Sequence, residues 1–589
     1  MKNQWDLTNI YSNDQEWENA LASLKPLIDQ IPSYKGKLGD SKIFHEFMLL
    51  DIKIGEILMP VYSYAHLASD LNRKDIALTQ KMQMAYITYM NYVQSSSWVT
   101  PEIISLGKEK VLKMIDEYED LHQFRFQMET TFHNQEHILE DSQEAIISNF
   151  SNITRGSEIY SSLAVADHED TTVKLSDGKK YKITHGNFRT LLSELKEDKD
   201  RKKVLGAIFK GYEKYKNTYA SIYTNVMKSE WANAKSRGFN SVLESKLFVR
   251  NIPTSVFMSL IETTRENTAP VKKYYQLRKK YFGLKNIHTY DRFLEMSSST
   301  RKYSYEEGKA LFFASLEGMN DEFVRNQHRA VEDGYVDVYE KDGKVTGAYS
   351  SGIYGHHPYI LLNYNDDLDN VFTLAHESGH SAHTLFSNEA QPYATADYAI
   401  FVAEIASTFN EHNLLDYMVA NAKSKEERIC LLQKAIDDIL STYYRQTLFA
   451  NYEYEAFKLV EENKPVTEES LSQIMISLYK DYYDIDITKE PGKKYIWAYI
   501  PHLFNTPYYV YQYATSFSAS LKIYENIKNN LPGAMENYIK MLKAGGSQYP
   551  IDIVKLAGVD LSCKEPFLAV VNRLTDLVDQ LEKLINEIE

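Results

Sequence analysis

The sequence predicts a mostly α-helical protein, and three observations carry that reading. Apolar residues recur three and four positions apart through most of the chain, the period of an amphipathic helix. Breakers are scarce: 589 residues contain only 24 glycines and 15 prolines, which favours long helices over tight turns. Strand-like texture is confined to two stretches, 170–185 and 334–365.

Residues 16–31, 42–70, 76–98 and 141–163 each read as an amphipathic helix. At 170–185 the period changes. Val173 and Leu175 alternate with Lys174, Asp177-Gly178 turns the chain, and Tyr181 and Ile183 alternate around Lys182, a β-hairpin signature. A domain boundary is expected just after it, near 190, separating an N-terminal helical domain (1–190) from residues 191–589. Length alone suggests roughly three or four domain-sized units. One long helix is expected from 197 to 237, closed by Gly238 as a C-cap. Further helices fit 253–282 and 304–330. Residues 334–365 carry glycines and alternation, with a strand at 358–364. Helices resume near 367 and run almost to the end. The last one has an apolar stripe at Phe567, Val570, Val571, Leu574, Leu577, Val578, Leu581, Leu584, Ile585 and Ile588. The stripe covers only about three heptads, so it reads as packing on the body, not as a coiled coil.

Composition narrows the function classes. A net charge of -15 repels phosphate and argues against nucleic-acid binding. Two cysteines, Cys430 and Cys563, make no disulfide framework and fit a reducing compartment. The N-terminus shows no apolar signal segment, and no run approaches the ~18 apolar residues that span a bilayer. A soluble, cytoplasmic protein with no membrane partner is expected. No Gly-Lys-Ser/Thr phosphate loop is present, so ATP is not expected. The 45 tyrosines read as amphipathic residues of helix–helix seams.

The chemistry concentrates at His376-Glu377-Ser378-Gly379-His380. Histidines four apart on a helix share one face, one turn apart, and can bind one Zn²⁺ together. Glu377 then sits beside the metal and can activate a zinc-bound water. Asp366, Asp367 and Asp369 offer caps for that helix, while Gly379 and Ser381 keep its surface low where something could approach. A third ligand is expected from a second helix around 401–411. Glu404 lies there in an apolar stretch, where a carboxylate needs a partner, either the metal or a lysine or arginine. Ser407, Thr408 and Glu411 share its face and can orient the ligands. His383 competes for the same role. Its Cα lies roughly 10 Å along the helix from that of His376, which would strain a tetrahedral site, so it reads as a supporting residue or an alternative ligand. Near the C-terminus, Tyr508 and Tyr511 are three apart and share a helical face, and their phenols can donate to an oxyanion.

These residues resemble a known family. Gly347-Ala348-Tyr349-Ser350, the run 358–364, Phe372-Thr373-Leu374-Ala375-His376-Glu377-Ser378-Gly379-His380 and Glu404-Ile405-Ala406-Ser407-Thr408-Phe409-Asn410-Glu411 are similar to the oligoendopeptidase F members of the thimet oligopeptidase group of zinc metallopeptidases. Tyr509-Val510-Tyr511-Gln512-Tyr513-Ala514-Thr515-Ser516 and Ala544-Gly545-Gly546-Ser547 continue the match. The resemblance covers most of the chain, the last 400 residues most clearly. It implies a two-lobed helical clamshell with a deep substrate channel and a small β-element beside the metal-binding helix. It further implies one Zn²⁺ on His376, His380 and Glu404, with Glu377 as general base. Tyr508 and Tyr511 would be oxyanion donors, His502 would help bind substrate, and 347–355 would be a flexible loop. The strand at 358–364 would be the edge on which a short peptide lies.

The expected activity is hydrolysis of internal bonds in short peptides. The alternatives are a zinc carboxypeptidase and a non-catalytic peptide-binding protein of the same fold. The string Gly533-Ala534-Met535-Glu536-Asn537 matches an amino-group-binding motif of a large aminopeptidase family. Here it follows the histidine motif and opens a helix after Pro532, so it reads as coincidence.

Overall fold

The computed structural model describes residues 2–140, 142–144, 146–147, 156–297 and 301–587. Helices dominate, and two small sheets are the β-structure among the described residues. The chain groups into two compact units, each assembled from three separated stretches. Met1–Glu136, Arg301–Met418 and Ile523–Val559 make the first; His137–Thr300, Val419–Lys522 and Asp560–Glu589 make the second.

In the first unit, helices Asp14–Ile28, Ser41–Leu71 and Ile76–Ser96 follow the predicted periodicity closely. Asn13, Asp40 and Asp75 cap them, each side chain accepting from first-turn N–H groups that the helix cannot satisfy itself. Trp17 is buried and donates Nε1–H to the Val61 carbonyl at 2.9 Å, joining two helices around Leu24, Phe44, Ile54 and Leu58. Further on lies a three-stranded sheet. Tyr359–Leu361 is its centre, parallel to Val336–Asp337 and antiparallel to Tyr349–Ser351, with Ser350 opposite Ile360. This corrects the expectation that 358–364 is a substrate edge, because that strand is paired on both sides. The reason is visible in its residues. Tyr359, Ile360 and Leu361 form an unbroken apolar run, all fully buried, which is the pattern of a central strand. The border strands are Val336–Asp337 and Tyr349–Ser351. Helix Leu368–Ala390 follows, capped by Asp367, which accepts from the Asn370 N–H at 2.9 Å. Helix Ile400–Ala420 comes next.

In the second unit, Thr171–Lys174 and Lys180–Ile183 form the expected antiparallel hairpin, turning at Gly178 with φ +82°. Of the helix expected over 141–163, residues 141, 145 and 148–155 lie outside the described residues; 142–144, 146–147 and Gly156–Ser161 are helical, and a π-helical turn follows from Ser162. Ile588 is also outside them. Three predicted helices are each two. The 197–237 helix breaks at Tyr215 into Asp198–Lys214 and Lys216–Ser236. Thr254–Glu266 and Ala269–Tyr281 are separated just before Pro270, which fits only a first turn. In the first unit, Tyr305–Ser315 and Asp321–Ala330 are separated by Gly318 at φ +83° and the cap Asn320. Gly238 closes its helix as predicted. Its N–H reaches the Lys235 carbonyl, and the Phe239 N–H reaches Ala234, a Schellman-type end. Helix Glu565–Asn586 packs its stripe against Lys425–Ile439 and Ala269–Tyr281. Gly533, with φ +77°, opens helix Ala534–Lys543 in the first unit.

Many tyrosines are core residues with satisfied hydroxyls rather than wet seams. Tyr443 accepts from Thr264 Oγ1 at 2.8 Å, and Tyr444 donates to the Asn267 carbonyl at 2.8 Å. No helix among the described residues is long and apolar enough to cross a membrane.

Candidate metal centre

Two helices of the first unit build the site. Leu368–Ala390 presents His376 and His380 one turn apart, and Ile400–Ala420 presents Glu404. Their close approach depends on Gly379. A Cβ built there would lie 2.5 Å from the Ala406 carbonyl oxygen and 2.6 Å from the Ser407 Cα. The three side chains converge: His376 Nε2 is 3.2 Å from His380 Nε2 and 3.5 Å from Glu404 Oε2, and His380 Nε2 is 3.7 Å from Glu404 Oε2. Ligands at about 2.05 Å in a tetrahedron stand about 3.3 Å apart, so this triangle has the dimensions of a zinc face.

The supporting contacts fix each ligand. His376 Nδ1 donates to Glu411 Oε1 at 2.6 Å, which leaves Nε2 with its lone pair toward the group. His380 has a backbone hydrogen bond with Ala403. Ser407 Oγ donates to Glu404 Oε2 at 3.0 Å, and Thr408 Oγ1 donates to the Glu404 carbonyl at 2.5 Å.

Glu377 is 6% exposed and takes a backbone hydrogen bond from Ser350 of the border strand Tyr349–Ser351. Burial, with Glu404 and Glu411 adding repulsion against the pull of His376, pushes its carboxyl up to about 7. Burial lowers His376, but the Glu411 hydrogen bond and the nearby carboxylates prevail and push it up to about 9. His380 is held down at about 3 by burial and by the charge of His376. Three carboxylates around two imidazoles in a desolvated pocket make a donor set that suits a divalent cation.

His383 stands apart from the group. It is 1% exposed, both ring nitrogens lack a hydrogen-bond partner among the described residues, and its ring stacks on Tyr398 at 3.7 Å. Tyr398 in turn donates to the His380 carbonyl at 3.3 Å and bonds Thr384 Oγ1 at 2.9 Å. Tyr398 and Ser350 were not foreseen. Both act through chain-distant contacts that no local pattern signals.

Tyr508, Tyr511 and His502 belong to the second unit. The shared helical face expected for the two tyrosines does not form. Tyr508 sits in a turn at φ +58°, its N–H bonded to Glu453 Oε1 at 2.8 Å, and helix Tyr511–Lys528 starts only after it. Pro507 and the left-handed Tyr508 break the helix there. Tyr508 and Tyr511 are both buried, each packing edge-on to Phe257. The half-buried rings of this segment are His502, Tyr509 and Tyr513, clustered with centroids 5.5 to 6.1 Å apart.

Known proteins place the chain. A family model described as peptidase family M3 matches residues 191–573, and one described as oligopeptidase F matches 102–169. Oligopeptidase PepF of Bacillus subtilis is 34% identical over 99% of this chain and 88% of its own length. Group B oligopeptidase PepB of Streptococcus agalactiae is 32% identical over 99% of this chain and 97% of its own. The crystal structure of a candidate peptidase from Chlamydophila abortus superposes with a TM-score of 0.92 at 32% identity, covering 99% of this chain and 98% of that one. That of oligoendopeptidase-F from Enterococcus faecium gives 0.73 at 27% identity, covering 98% and 99%. A family match across most of the chain, with relatives a third identical along nearly its whole length, makes this protein a member of peptidase family M3.

Proposed function

We propose that the chain is a zinc-dependent endopeptidase that cuts internal bonds of short peptides in the cytoplasm. His376, His380 and Glu404 hold one Zn²⁺, and Glu377 is the general base. The ligand triangle carries this reading, since three side chains from two helices meet at zinc dimensions with their hydrogen-bond supports in place. A zinc ion held there supplies Lewis acidity, polarising the scissile carbonyl and acidifying water. Glu377 takes the proton of the attacking water and passes it to the leaving nitrogen. The Ser350 hydrogen bond holds Glu377 in place, and Glu411 holds His376 in the tautomer that can ligate.

The peptide adds to the border strand Tyr349–Ser351, whose outer edge is unpaired within its sheet, and not to 358–364. The resemblance supports Tyr508 and Tyr511 as oxyanion donors and His502 as a substrate contact. The greater exposure of Tyr509 and Tyr513 supports those two phenols as a competing pair. The start of the peptidase match at 191 supports a domain boundary near 190. That Cys430 and Cys563 are not joined in a disulfide supports the cytoplasm.

The test is Glu377→Gln. It is expected to keep its zinc, measured by elemental analysis after dialysis, while kcat falls by at least about 10³. Comparable turnover by the zinc-loaded variant would end the mechanism.

A further inference from the structure

We propose that Gln327, Ser378 and Asn410 are positioning residues for the metal centre, a buried polar network that locks the register of the two ligand-bearing helices. The inference rests on the metal site proposed above and concerns how this chain holds it in shape. Helix Asp321–Ala330 supplies Gln327, helix Leu368–Ala390 supplies Ser378, and helix Ile400–Ala420 supplies Asn410. None of the three is more than 1% exposed.

The two amides pair with each other. Asn410 Nδ2 donates to Gln327 Oε1 at 2.9 Å, and Gln327 Nε2 donates back to Asn410 Oδ1 at 3.3 Å. Ser378 Oγ donates to the same Gln327 Oε1 at 2.9 Å, and Asn410 Nδ2 also donates to the Ala375 carbonyl at 2.9 Å. Gln327 Oε1 thus uses both lone pairs, and Asn410 Nδ2 both protons. Turning the Asn410 amide over would set its oxygen against the Ala375 carbonyl, so the network has one orientation.

The contacts between the two ligand-bearing helices follow one antiparallel register. Gly379 meets Ala406 and Ser407, and one turn further along each helix Ala375 meets Asn410. His376 and Glu411, the residues that follow these two in sequence, meet as well. A slip of one turn moves one helix about 5.4 Å past the other and takes both Glu404 and Glu411 off the imidazoles. Apolar packing resists such a slip weakly. A buried amide resists it strongly, because the slipped state leaves polar groups unpaired in the core. Fixing register is the best-attested use of a buried polar residue between helices. Ser378 and Asn410 are flanked in sequence by Glu377 and Glu411, so the lock lies directly beside the chemistry it would serve.

The experiment uses the full chain. Its readouts are Tm, zinc affinity against a graded chelator, and the visible spectrum of the cobalt-substituted protein, which reports ligand geometry. The triple variant Gln327→Met/Ser378→Ala/Asn410→Leu makes the whole network apolar and strands no buried amide. It is expected to keep its Tm within a few degrees while zinc affinity falls at least tenfold and the cobalt bands change. Ser378→Ala alone, a small truncation, should weaken zinc at least threefold. A fourth readout needs no metal. With isotope-labelled histidine, the His376 Nδ1 proton held by Glu411 should give a slowly exchanging downfield resonance that the triple variant loses and Ser378→Ala weakens. A folded triple variant that keeps wild-type zinc affinity and cobalt spectrum, or that loses Tm along with them, overturns the proposal. Wild-type zinc affinity in Ser378→Ala also overturns it, and decides alone if the triple variant does not fold. A wild-type chain that binds no zinc refutes the metal reading instead; the Nδ1 proton then decides, and its undiminished survival in the variants overturns the lock.

Discussion

Glu404 reaches the imidazoles from a second helix, whereas His383 shares a helix with both and stays outside the ligand group. Glu404→Ala is therefore expected to lower zinc affinity by about 10² or more, and His383→Ala by no more than about tenfold. Metal content after dialysis against a graded chelator decides it; the reverse order would replace the ligand set. This much was legible in the sequence, because spacing four apart and a carboxylate among apolar neighbours are local signals. Tyr398 and Ser350 were not, since only folding brings them to His380 and Glu377.

A second residue-scale prediction concerns Glu453. Its Oε1 accepts the Tyr508 N–H, its Oε2 has no hydrogen-bond partner among the described residues, and burial pushes its carboxyl up to about 8. The sign follows from linkage. The folded state holds this proton more tightly than the unfolded chain, whose glutamate titrates near 4.3, so stability is full below that pH and is lost as pH rises toward 8. Glu453→Gln keeps an acceptor for Tyr508 and removes the titration. The variant should gain on wild type by about 1–3 kcal/mol between pH 5 and 8, read from denaturant unfolding at each pH. Parallel stability curves would show that the carboxyl titrates normally.

At the scale of elements, the site depends on how closely two helices approach. Glycine inside a helix costs about 1 kcal/mol relative to alanine, so Gly379 in mid-helix needs a reason. The Ala406 carbonyl at 2.5 Å from its hypothetical Cβ supplies one, and backbone cannot step aside as a flexible side chain can. Gly379→Ala should push Ile400–Ala420 away, carry Glu404 off the imidazoles, and lower zinc affinity at least tenfold despite the better helix propensity. Unchanged zinc affinity with a raised Tm would mean that the helices have slack. The helices themselves were readable from periodicity, and Pro270 and Gly318 mark two of the unforeseen breaks. The break at Tyr215 carries no glycine or proline of its own, so periodicity ran through it, whereas Pro507 marks the break beside the left-handed Tyr508.

At the scale of the molecule, the two-unit grouping was illegible because the boundaries at 418 and 522 fall inside the continuous helices Ile400–Ala420 and Tyr511–Lys528, where composition does not change. The mode of cleavage is nonetheless open to argument. Gly533-Ala534-Met535-Glu536-Asn537 opens a helix rather than lying on a strand, so that string offers no strand-borne grip for a free amino group. Binding by strand addition to Tyr349–Ser351 uses the backbone of an extended peptide and asks nothing of its ends. A chain locked in a folded protein has its backbone donors and acceptors already paired and cannot add in this way without local unfolding. The zinc-loaded enzyme should therefore cut a short peptide acetylated and amidated at its termini, at an internal bond, within about tenfold of the rate for the unblocked peptide. It should leave a compact globular protein intact over the same period. Product masses decide the matter. Release of single residues only from unblocked peptides would make this an exopeptidase, and nicks in the folded protein would refute recognition through a free extended backbone.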